Sequence, residues 1–90
     1  MEFKEETSRI VLLDEGKEIG EITWSTDGGD GLIVEHTGVD STYRGQGLAG
    51  KLVAEVVAYA RRNDKKIIPV CSYAKKEFER TPDYEDVWKK

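Results

Sequence analysis

Cysteine and histidine are almost absent from this 90-residue chain, which has one of each, Cys71 and His36. A lone thiol forms no internal disulfide, and one Cys with one His cannot assemble a zinc site from those ligands, so no metal is expected. No apolar run approaches the ~18 residues of a membrane span. The opening Met1-Glu2-Phe3-Lys4-Glu5 has neither the basic nor the apolar region of a signal peptide. A cytoplasmic protein without a membrane partner is expected. Bases are outnumbered by acids, 14 to 18, for a formal net charge of -4. That is the wrong sign for holding nucleic acid by neutralising phosphates, so a nucleic-acid partner is not expected.

What is present suits one small globular domain, with 38% hydrophobic and 36% charged residues; a chain this short closes around a single core. Arg9-Ile10-Val11-Leu12-Leu13, the turn Asp14-Glu15-Gly16-Lys17, and Glu18 to Ser25 with Gly20, Ile22 and Trp24 on one face read as a β-hairpin. After the glycine-rich turn Thr26 to Gly31, Leu32 to Thr37 reads as a third strand. From Leu48 the period changes. Leu48, Leu52, Val53, Val56, Val57 and Ala60 recur at three- and four-residue steps, an amphipathic helix ending near Asn63-Asp64. Lys66 to Val70 supplies a short strand in which Pro69 removes a ladder donor, as at an edge or a break in pairing. Ser72 to Arg80 forms a second helix, stopped by Thr81-Pro82-Asp83, and Tyr84 to Lys90 follows as a tail. The acidic ends Glu2 to Glu6 and Glu85-Asp86 read as solvated faces. The order is βββαβα, an α+β fold with helices covering a mostly antiparallel sheet.

Chemistry concentrates where the third strand gives way to the first helix. Gly45-Gln46-Gly47-Leu48-Ala49-Gly50-Lys51 opens that helix, where free N–H groups and the positive end of the dipole attract anions. Gly45, Gly47 and Gly50 have the spacing of a dinucleotide turn, but the strand after the helix ends in Val70-Cys71-Ser72, without the acid such a fold requires. Gly45, Gly50 and Lys51 match most of a phosphate-binding P-loop, yet Leu52 stands where a hydroxyl should meet magnesium. Arg44, Gly47 and Ala49 fill a third pattern, [RQ]-x-x-G-x-[GA], without exception.

Val39-Asp40-Ser41-Thr42-Tyr43-Arg44-Gly45-Gln46-Gly47-Leu48-Ala49 resembles the acetyl-CoA-binding signature of the GNAT N-acetyltransferase superfamily. His36-Thr37-x-Val39, Arg44 to Leu52, Ile68-Pro69-x-Cys71-x-Tyr73 and Pro82-x-Tyr84 resemble its short, single-domain YjdJ-like subgroup. The resemblance covers roughly residues 8 to 84. It implies acetyl-CoA or coenzyme A as cofactor, with its pyrophosphate on the backbone of Arg44, Gly45, Gln46, Gly47, Leu48 and Ala49. It also implies a splay between the third strand and the Ile67 to Val70 strand that admits pantetheine, and a main chain near Val39 that bonds the pantetheine or polarises the thioester carbonyl. The first two strands have no helices between them, unlike larger members, so the acceptor side is expected to be open.

Acetyl transfer to an amine needs a free nucleophile, donors for the developing oxyanion and a proton for the leaving thiolate. Glu35 and His36 end the third strand, pointing to opposite faces. His36 is the better base because imidazole titrates nearest neutral pH, with a structural role as the other reading. Cys71 precedes a helix start, where a dipole favours the thiolate, so it is either an acetyl-site thiol or a small buried hydrophobe. Tyr73 either protonates the departing thiolate or wedges under the helix. Tyr43, Tyr84, Trp24 and Trp88 read as packing residues. The expected activity is N-acetylation of a small-molecule or peptide amine by a monomer or weak dimer. The alternative is a non-catalytic coenzyme A or acyl-CoA-binding module that senses the ligand or partners another protein.

Overall fold

The computed structural model describes residues 1–90. Five strands form one sheet in the order β1-β2-β3-β4-β5, with β1 at Glu2–Glu6, β2 at Arg9–Asp14, β3 at Lys17–Thr26, β4 at Gly31–Val39 and β5 at Lys66–Pro69. Helix α1 spans Leu48–Arg62 and α2 spans Ser72–Arg80. The first three pairings are antiparallel and β4 with β5 is parallel. The fold is therefore α+β with a mostly antiparallel sheet, and it carries one strand more than βββαβα. Glu2 to Glu6 is not a free solvated face but an edge strand, running from Glu2 opposite Leu13 to Glu6 opposite Arg9. Its charged side chains stay exposed, and only Phe3 packs against the core. One apolar residue in five is too little to show a period, and the strand is held by its backbone ladder.

Both turns that close the front of the sheet use positive φ. Ser8 has φ 62 between β1 and β2, and Glu15 and Gly16 have φ 50 and 81 between β2 and β3. Two consecutive left-handed residues make the tight hairpin connection whose twist suits antiparallel strands. Helix α1 buries Leu48, Leu52, Val53, Val56, Val57 and Ala60, the six positions of the apolar stripe, against Ile10, Leu12, Ile22, Trp24, Leu32 and Val34 of the sheet. Gly20 lets this helix come close, since a Cβ there would lie 3.3 Å from Leu52 Cδ1 and 3.2 Å from the Gly38 carbonyl oxygen. Truncating a buried leucine such as Leu52 to alanine costs about 2–5 kcal/mol, so α1 anchors whatever its first turn presents.

Behind α1, Pro82–Val87 forms a 3₁₀ segment. Arg61 grips it through a two-pronged pair with Asp86, Nε to Oδ2 at 3.0 Å and Nη2 to Oδ1 at 2.9 Å, and donates from Nη2 to the Asp83 carbonyl at 2.6 Å. Phe78 of α2 packs on Tyr84 and Trp88, so the tail docks. No helix is long and apolar enough to cross a membrane.

Two irregularities in β4 prepare the site. Pairing with β5 runs only from Gly31 opposite Lys66 to Val34 opposite Pro69. It ends where the Val34 carbonyl accepts from both Val70 N–H at 3.1 Å and Cys71 N–H at 3.0 Å. Past that point His36 to Val39 is laddered to β3 alone, and the strands splay. A register shift also opposes Trp24 to Val34 but Thr23 to His36, leaving Glu35 as an extra residue. This bulge corrects the expectation that Glu35 and His36 point to opposite faces. Glu35 accepts from Ser25 Oγ at 3.2 Å and His36 Nε2 lies 3.8 Å from Glu21 Oε2. Ser25 and Glu21 flank core residues of β3, so both side chains lie on the sheet face away from the helices.

Candidate active site

The glycine turn is built to leave its donors unused. Asp40 Oδ1 accepts from Thr42 N–H at 2.9 Å and from Thr42 Oγ1 at 2.8 Å, winding Ser41–Tyr43 into a 3₁₀ turn. Tyr43 Oη donates to Asp14 Oδ2 at 2.7 Å and ties this turn to the β2–β3 hairpin. Gly45 and Gly47 then take φ 81 and 70, and a Cβ on either would meet nothing within 4 Å. The first main-chain bond of α1 is Lys51 N–H to the Gly47 carbonyl, and no side chain caps the helix. The N–H groups of Gly45, Gln46, Gly47, Leu48, Ala49 and Gly50 donate to nothing in the protein. No acid stands in the first turn to compete for them. Free donors at a positive dipole end, on glycines whose Cα faces open space, fit a phosphate-bearing ligand.

A cavity of about 170 Å³ opens on this turn, lined by Val39, Tyr43, Arg44, Gly45, Gly47, Leu48, Ala49 and Tyr73. Seven of these residues are sequence candidates. Gln46 belongs to the turn but does not line the cavity. Tyr43, read from sequence as packing, is a wall of it.

Cys71 and His36 lie outside that lining. Cys71 is the residue before α2, and its Sγ–H donates to Thr37 Oγ1 at 3.8 Å across the splay. Burial opposes its ionisation, but the Ala74 N–H, the Thr37 hydroxyl and the Tyr73 N–H outweigh this and hold the thiol below its ordinary range. The helix start thus acts on the thiol in the expected direction. His36 stands on the opposite face, 59% exposed. Its imidazole lies over Gly38, where a Cβ would sit 2.8 Å from Nε2. Tyr73 reaches the cavity and Cys71 borders the splay, while His36 approaches from the uncovered face. Thr37 escaped sequence reasoning because the bulge decides that it, and not His36, faces the helices.

A model of the GCN5-related N-acetyl-transferase family matches residues 9–87 of this sequence. The chain belongs to that family. A GCN5-like N-acetyltransferase candidate from Staphylococcus aureus, solved by NMR, is 36% identical with a TM-score of 0.79, over 98% of this chain and 87% of its own. A GNAT family N-acetyltransferase from Escherichia coli, in complex with CoA, is 30% identical with a TM-score of 0.58 over 66% of this chain. A candidate streptothricin acetyltransferase from Bacillus anthracis, in complex with acetyl coenzyme A, shares the fold at 23% identity and a TM-score of 0.57, also over 66% of this chain. This GNAT chain spans only 37% and 34% of those two structures. No curated protein matches it.

Proposed function

We propose that this GNAT protein is an acetyl-CoA-dependent N-acetyltransferase acting on an amine of a small molecule or peptide. The observation that carries the reading is the run of unused N–H groups from Gly45 to Gly50, opening on a cavity that Tyr73 walls. The backbone of Gly45 to Ala49 holds the pyrophosphate, with the Arg44 side chain beside it. Val39, unladdered on its β5 side, offers main-chain groups to the pantetheine and to the carbonyl oxygen. Acetyl-CoA, when bound, supplies an acyl carbon activated as a thioester. His36 takes the amine's proton from the open face, and Tyr73 delivers a proton to the departing sulfur. Cys71 borders the acetyl site, and transfer to the amine is direct.

One observation favours a second reading. The catalytic candidates are dispersed, with His36 on the face opposite Thr37 and Cys71, so a coenzyme A-binding module without turnover fits the same cradle. Calorimetric titration with acetyl-CoA, CoA and magnesium ATP, followed by thiol release over a panel of amines, separates the readings. Acetyl-CoA binding with thiol release is the expected result. Binding without release on any amine supports the module, and stronger binding of magnesium ATP than of acetyl-CoA rejects both.

A further inference from the structure

Tyr73 enters the cavity from the first turn of α2 with its hydroxyl already engaged. Its Oη donates to Glu77 Oε1 at 2.8 Å, one helical turn along, and Arg80 Nη2 donates to the same oxygen. The Glu77 side chain is only 13% exposed, while that of Arg80 is 65% exposed. A half-sequestered carboxylate is costly unless its charge is matched, and here the match comes from both partners. The pair sits beside the cradle helix: a Cβ on Gly50 would lie 3.4 Å from Tyr73 Oη and 3.5 Å from Glu77 Oε1.

A phenol carries one proton, and in this arrangement the proton is directed at Glu77. For Tyr73 to serve as an acid, its O–H must turn from the carboxylate toward the cavity, which on most protein sites would strand a buried charge. Arg80 removes that obstacle by remaining on Glu77. We propose that Glu77 is a positioning residue for Tyr73, fixing the ring and its proton at the cavity wall, with Arg80 compensating the carboxylate whenever the phenol turns away. This rests on the reading of Tyr73 as the acid. In that step the phenolic O–H bond breaks, an S–H bond forms on the leaving thiolate, and the phenolate regains a proton from water. Burial first, and the bond to Glu77 second, hold the phenol above its ordinary range, so it stays protonated through neutral pH. Arg80 foremost holds Glu77 below its own, so it remains an acceptor.

The test compares Glu77→Gln, Tyr73→Phe and the double variant. In the ligand-free protein, tyrosinate absorbance is titrated at alkaline pH, and subtracting Tyr73→Phe isolates Tyr73. With acetyl-CoA and the best amine of a panel, kcat and KM are measured. Glu77→Gln is expected to lower the Tyr73 midpoint and to reduce kcat by between about 10- and 100-fold, with KM for acetyl-CoA unchanged. It is expected to slow Tyr73→Phe no further. An unmoved Tyr73 midpoint, or equal slowing of the wild type and Tyr73→Phe, overturns the role of Glu77 alone. Wild-type kcat in Tyr73→Phe removes the acid reading and the proposal together.

Discussion

Replacing Gly47 with aspartate places a carboxylate at the cradle while sparing the fold. Gly47 sits at φ 70 immediately before α1, with open space around its missing Cβ, so the penalty is one of backbone conformation and not of clash. Asp and Asn tolerate the left-handed region better than other residues. A negative charge near a helix N-terminus also returns about 0.3–1 kcal/mol. Net stability should therefore move by about 1 kcal/mol or less, a shift of roughly 4–8 °C in a domain of this size. Binding is another matter. Two unit charges about 4 Å apart repel by ~4 kcal/mol at an effective dielectric near 20. Even half of that in this open cavity, about 2 kcal/mol, weakens a pyrophosphate ligand roughly 30-fold. Gly47→Asn shares the backbone strain without the charge and serves as the control. Calorimetry with acetyl-CoA should show Gly47→Asp at least ~30-fold weaker than wild type, and Gly47→Asn within about tenfold. Unchanged affinity in Gly47→Asp, with both variants folded, would refute the placement of the phosphates at this turn.

Other outcomes follow from the same geometry. Lys89 bonds Asp27 and Asp30 and ties the tail to the β3–β4 hairpin; its hydrogen bond, with those of the Gly29 and Gly31 N–H groups, draws Asp27 down to about 2. A depressed carboxylate stabilises the fold above its unfolded range near ~4 and loses that contribution as pH falls toward 2, so Lys89→Gln should flatten the acid limb of the melting-temperature profile. Gly38→Ala forces the His36 imidazole from its place, so thiol release should fall while acetyl-CoA affinity holds; unchanged turnover with displaced imidazole NMR signals would take His36 out of the mechanism. Intact mass spectrometry after brief incubation with acetyl-CoA should show no acetyl adduct on Cys71, and Cys71→Ala should be slower but active. A stoichiometric adduct discharged by an amine would replace direct transfer with a covalent route.

The parts of this protein that could be read in advance are those whose physics is local. The six buried residues of α1 are the apolar stripe read from the chain, because a 3.6-residue period survives any arrangement of the sheet around it. The cradle is local too, since its donors are backbone groups and its requirement is glycine at Gly45 and Gly47. The end of α2 follows from Thr81-Pro82-Asp83, where proline cannot continue the helix. Strand β1 was not legible, because its stability comes from a ladder to β2 and only Phe3 contributes apolar surface. The hydrogen bond from Tyr43 to Asp14 joins residues 29 positions apart and could not be found without the fold.

The bulge in β4 separates the legible half of the site from the other half. Strict alternation from Leu32 and Val34 predicts that His36 faces the helices, and one extra residue, Glu35, hands that position to Thr37. The inserted residue thereby puts the hydroxyl within 3.8 Å of the Cys71 sulfur on one face, and the imidazole within 3.8 Å of a carboxylate on the other. No local signal marks such a register shift, because it is set by pairing with Thr23 and Trp24 across the ladder. The Tyr73–Glu77–Arg80 group is different in kind. Its members are four and three residues apart on one helix, a spacing that brings side chains together in any fold that keeps α2 helical. A phenol, a carboxylate and a guanidinium at that spacing, beginning four residues after the strand that borders the cofactor gap, were a readable signal for a positioned acid. What the fold adds is Gly50, the one place in the first turn of α1 where a helix can present a bare backbone to that group and let it stand against the cradle.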